Sequence, residues 1–139
     1  MRAAAGLVLA GLAACGRATE AVQPAQHLAV WTASADTTQP DFLAVLDVTE
    51  RGDTARYGTL VATVPVPGGP TMPHHTEHEM PADGRLFANG FAAGRTFIFD
   101  LNAPTAPRLA GEFRDVDGYA HPHSFVRLPN GNVLASLDR

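Results

Sequence analysis

Cysteine is almost missing from this chain: Cys15 stands alone, so no internal disulfide can brace the fold. Lysine is missing altogether. All ten basic residues are arginines, which beside the abundant alanine reads as coding bias rather than chemistry. A formal charge of −4 argues against nucleic acid as a partner, because phosphate binding needs a basic surface. The apolar run that opens the chain falls short of the roughly twenty residues of a membrane-spanning helix. The Gly-x-Ser-x-Gly elbow and the P-loop are both absent, and Gly84 through Gly94 lacks the strand-turn-helix setting of a dinucleotide fingerprint. Ser124 follows His123, but adjacency in sequence is not a triad.

The one sustained apolar run opens the chain. Arg2 precedes the uncharged stretch from Ala3 to Ala14, which ends in Leu12-Ala13-Ala14-Cys15-Gly16. Too short to span a bilayer, this run suits a signal-peptide core, and Leu-Ala-Ala-Cys resembles the lipobox of bacterial lipoproteins. The expectation is a signal peptide over 1–14, a lipid on Cys15, and a tether over 15–26 leading to a domain over 27–139. Membrane contact would run through the lipid alone, on the periplasmic side of a bacterial membrane. Cleavage would leave nine arginines against fourteen acids, or −5.

Glycine and proline, by contrast, are plentiful. Thirteen glycines and eleven prolines in an ordinary globular composition, 45% apolar and 17% charged, cut the chain into short strands and turns. Apolar runs fall at Leu28–Trp31, Phe42–Val48 and, after an Arg51-Gly52-Asp53 turn, Tyr57–Val64. The cycle restarts with Leu86-Phe87-Ala88, a glycine-bearing turn through Gly90 and Gly94, Thr96–Leu101 and Leu109–Phe113. Leu46-Asp47-Val48 answers Phe99-Asp100-Leu101, and Pro81-Ala82-Asp83-Gly84 answers Pro129-Asn130-Gly131. A unit of about fifty residues with four short strands has the size of a propeller blade. The expected fold is therefore all-β, a β-propeller of which only about the first two blades are present. A propeller needs about four to eight blades to close; the chain reads as the N-terminal portion of a longer protein.

Histidine returns with the repeat. Five of the six histidines fall in His74-His75-Thr76-Glu77-His78 and His121-Pro122-His123. On a flat strand His74 and His75 would point to opposite faces, whereas His121 and His123 would share one. Histidines at matching points of neighbouring blades could converge near the axis, and several neutral imidazoles together suit copper or zinc better than magnesium or calcium. The candidate ligands are His74, His75, His121 and His123. Glu77 and Glu79 are candidates to hold a ring's other nitrogen. His78 reads as a turn histidine bonded to backbone. Arg85, Arg95, Arg108 and Arg127, each beside apolar residues, read as solvated strand faces. Trp31, Phe42, Phe97, Phe99 and Phe125 read as core.

Taken together, Pro40–Val48, Tyr57-Gly58, the His74-His75 pair, Phe97–Leu101 with Ala103-Pro104 and Pro107-Arg108-Leu109, and His123 ahead of Gly131–Ser136 resemble the selenium-binding protein family, whose bacterial members include methanethiol oxidases. The resemblance covers residues 27–139. It implies a seven-bladed propeller and a copper site, to which the His-His pair carries over as His74 and His75, and a histidine of the next blade as His123 or His121. Members named for selenium carry a cysteine shortly after the pair; here Thr76-Glu77-His78-Glu79-Met80 has none, which favours copper over thiolate-held selenium. The implied chemistry is oxidation of a small thiol such as methanethiol by dioxygen, giving formaldehyde, hydrogen sulfide and hydrogen peroxide. The alternative is a non-catalytic selenium- or metal-binding propeller module.

Overall fold

In the computed structural model the described residues are 25–49, 56–114 and 116–138. The expected signal peptide, Cys15, most of the tether and the Arg51-Gly52-Asp53 turn lie outside them. Among the described residues no helix is long and apolar enough to cross a membrane. The chain is all-β, as its composition implies. Its strands are β1 (His27–Thr32), β2 (Phe42–Asp47), β3 (Thr59–Pro65), β4 (Pro73–Thr76), β5 (Arg85–Gly90), β6 (Arg95–Asp100), β7 (Arg108–Arg114), β8 (Ala120–Arg127) and β9 (Val133–Asp138). They form three antiparallel sheets, β1-β2-β3, β4-β5-β6-β7 and β8-β9, each a simple meander. The four-stranded sheet has the make-up of one propeller blade. The histidine clusters open their sheets, one on β4 and one on β8.

The internal repeat extends to backbone irregularities that residue matching does not show. Pairing of β2 with β3 slips by one residue between Val45 and Leu46, and pairing of β6 with β7 slips at the equivalent point between Ile98 and Phe99. Each slip is a bulge, which bends a strand and steepens its twist. The strand ends match as well. Asp47 accepts from the Thr49 amide and faces Arg56, while Asp100 accepts from the Asn102 amide and pairs with Arg108.

The core lies between the first two sheets. Leu43, Val64, Val66, Leu86, Ala88, Phe97, Phe99 and Leu101 are buried together, with Ala29, Trp31 and Leu109 packed against them. Trp31 leans on the Phe97 and Phe99 rings, each at 5.6 Å between centroids. On the other side Phe125 of β8 meets Phe87 of β5. β6 is buried along nearly its whole length, as a strand packed on both faces must be.

Of the four arginines expected on solvated strand faces, Arg85 and Arg108 are exposed, whereas Arg95 and Arg127 need correction. Arg95 is buried, donating to the Pro67 carbonyl at 2.5 Å and pairing with Glu112. Arg127 is only 22% exposed and is engaged in ion pairs. A guanidinium has enough donors to be taken inside when carbonyls and carboxylates meet it, and flanking residues do not reveal those partners.

Candidate metal centre

Pro73 of β4 lies opposite Gly90 of β5, and Thr76 lies opposite Ala88, so β4 carries one residue more than the strand it faces. The surplus falls at the histidine pair. Both backbone amides turn to one acceptor, Asn89 Oδ1, at 3.0 Å from His74 and 2.7 Å from His75. The bulge cancels the alternation of a flat strand, and the two rings lie side by side, 4.2 Å between centroids.

β8 repeats the device. Pro122 faces Leu137 and Phe125 faces Ala135, again with one surplus residue, and the Ser124 amide donates to Ser136 Oγ at 3.1 Å. In register, His123 is thus the counterpart of His74, Ser124 of His75, and Ser136 of Asn89. His121 falls one step ahead of the bulge, as Met72 does, and the two share a left-handed backbone with φ of 56° and 59°.

That register decides which rings meet. His123 lies 5.1 Å from His74 and 4.6 Å from His75 between centroids. One nitrogen from each of the three rings falls within 4.8 Å of the others. His121 stands aside: its Nδ1 is 2.8 Å from the Phe91 carbonyl, and its ring lies against Phe91. His78 is exposed on a cleft of about 430 Å³, beside Glu79. Glu77 has its carboxylate committed elsewhere, to Arg127 Nε at 2.8 Å and Nη2 at 3.1 Å and to the Phe87 amide.

The cluster has the electronic character of a ligand set. Burial holds the His75 imidazole below its usual pKa, and the charges of neighbouring His74 and His123 push the same way, against a smaller opposing pull from the His123 backbone. A ring kept neutral keeps a lone pair free for a metal. His75 Nδ1 is also buried without a hydrogen-bond partner. A buried polar atom left unpaired is costly, and coordination would satisfy it. Three imidazole donors of this kind fit copper or zinc.

Sequence reasoning missed Phe91 and Asn89 and placed Gly90 in a turn. Phe91 lays its ring against His74 and His123 as well as His121, walling one side of the cluster. Asn89 and Gly90 belong to β5 and not to the turn, which falls after them. Asn-Gly is the commonest hairpin signal, and the one clue against it was a polar residue interrupting the apolar run Leu86-Phe87-Ala88. Gly90 is in the strand because a side chain does not fit: an added Cβ would come within 2.8 Å of Thr71 Cβ and 3.0 Å of the Phe97 ring.

No protein-family model matches the chain. It is 34% identical over 119 residues to a methanethiol oxidase of Hyphomicrobium sp., a match that covers 81% of this chain and 26% of that protein. Its fold is similar to that of a hypothetical selenium-binding protein from Sulfolobus tokodaii, with a TM-score of 0.53 and 22% identity, covering 65% of this chain and 23% of that one. The chain therefore spans about a quarter of the length of each relative it matches.

Proposed function

The chain is a homologue of the selenium-binding protein and methanethiol oxidase family, and from that premise we propose that His74, His75 and His123 hold a copper ion serving the oxidation of a small thiol, such as methanethiol, by dioxygen. The observation that carries the reading is the convergence of the His74, His75 and His123 imidazoles, beside a His75 Nδ1 that is buried without a hydrogen-bond partner. Bound there, copper supplies a one-electron relay for the overall change of methanethiol, dioxygen and water into formaldehyde, hydrogen sulfide and hydrogen peroxide. The chain's own residues hold the donors in place. Burial favours the neutral form of His75, and Phe91 walls one side of the rings. His74 is exposed, which leaves the cluster approachable from solvent. No cysteine follows the histidine pair, so thiolate-held selenium gains no support from these residues.

The test is metal analysis with oxygen uptake. Copper near one per chain, thiol-dependent oxygen consumption by the protein that carries this segment, and loss of both in His75→Ala support the oxidase. Copper without turnover favours a binding module instead. Failure to retain copper or zinc overturns the metal reading altogether.

Export and anchoring through Cys15 form part of the same proposal, on the lipobox-like sequence alone. Cys15→Ala should release the protein from the membrane fraction. Unchanged membrane association would remove the claim.

A further inference from the structure

We propose that Asn89 is the positioning residue of the imidazole cluster: a single buried carboxamide sets the spacing between histidines supplied by two different sheets. The proposal rests on the metal reading for what that spacing serves.

Asn89 is fully buried, and both ends of its side chain are used. Oδ1 accepts the His74 and His75 amides and so fixes the β4 bulge. Nδ2 donates to the Pro122 carbonyl at 2.6 Å and the His123 carbonyl at 3.0 Å, and so fixes the β8 bulge against it. A carboxamide offers two acceptor sites and two donor protons, and here all four are taken. The residue's own carbonyl accepts the Trp31 indole N–H at 2.7 Å, which ties the first sheet to the same point. Asn89 touches no imidazole nitrogen through these bonds; it acts on the backbone from which each ring hangs.

The counterpart in the next sheet shows what is special about the amide. Ser136 receives the Ser124 amide and meets the Ser124 hydroxyl, the within-sheet half of the arrangement. The half that crosses between sheets takes two donor protons, and a serine hydroxyl has only one to give. Aspartate would keep the acceptor, lose the donors and set a charge against two carbonyls. Asparagine alone among residues of this length does both tasks while neutral.

The experiment separates the two ends of the amide. Full-length wild type, Asn89→Asp, His75→Ala and Trp31→Phe are titrated with Zn(II) by calorimetry and with Cu(II) by electron paramagnetic resonance. Asn89→Asp is expected to bind zinc about 10- to 100-fold more weakly, as loss of a residue that orients a ligand typically does. Its copper spectrum should lose one of the three coupled nitrogens as His123 is released. Trp31→Phe lowers the melting temperature and leaves the spectrum unchanged, which marks general loosening apart from positioning. Wild-type affinity and spectrum in Asn89→Asp overturn the proposal and leave the metal reading standing. If the wild type binds neither metal, or Asn89→Asp does not fold, hydrogen exchange of the metal-free wild type decides. Asn89 Nδ2 protons as slow as the β5 ladder support the proposal; exchange at the rate of an exposed asparagine overturns it.

Discussion

Arg127 closes a two-point ion pair on Glu77, Nε to Oε1 at 2.8 Å and Nη2 to Oε2 at 3.1 Å, joining β8 to the segment that leaves β4. Glu77 is 5% exposed and Arg127 22%. Removing one partner of a buried pair costs about 3–5 kcal/mol, and the arginine's partial exposure lowers the expectation to about 2–3. Arg127→Met should therefore destabilise the chain by that amount in urea unfolding, and adding Glu77→Gln should recover part of the loss. Additive losses would show that the two side chains are not coupled.

Gly90→Ala should destabilise by about 1–3 kcal/mol, the usual cost of overpacking a filled site. The new methyl meets Thr71 and Phe97, both buried, so neither can swing into solvent. The thermal midpoint checks it. An unchanged midpoint would mean that β5 and the segment before β4 are less closely packed than described.

Metal binding should tell His121 from His123. His123→Ala removes a donor and should weaken zinc or copper binding by more than the about 10- to 100-fold expected when a residue only orients a ligand. His121→Ala loses a contact with Phe91 and should have the smaller effect. Equal losses would place His121 among the ligands.

Acid stability should report on Asp100. The Asn102 backbone amide, then the Asn102 side chain, then Arg108 hold its carboxyl below the ordinary value of 3.8, with burial opposing in part. A depressed folded-state value means that the unfolded chain binds more protons. The contribution is complete above 3.8 and is lost as pH falls through the folded-state value. Melting temperature should thus fall less steeply below about pH 4 in Asp100→Asn than in the wild type. Parallel curves would exclude Asp100 as a source of the acid transition.

Much of the fold was legible because alternation and punctuation carry it. Phe42–Val48 and Thr96–Leu101 read as strands and are strands, to within a residue at their ends. The site was legible as far as residue type and repeat could take it, which brought His74, His75 and His123 to notice. What the text concealed was register. A bulge adds one residue without changing composition, so nothing announced that His74 and His75 share a side, or that His121 aligns with Met72 and not with His74. Asn89 was hidden by its own dipeptide, since Asn-Gly spells a turn until the sheet around it is known.

The indole of Trp31, the chain's single tryptophan, ends on the carbonyl of Asn89. Nature has thereby wired an optical reporter to the residue that braces the histidines. Within these 139 residues no second indole competes, so a copper titration of this segment followed by fluorescence should register ion capture at once, without any label attached.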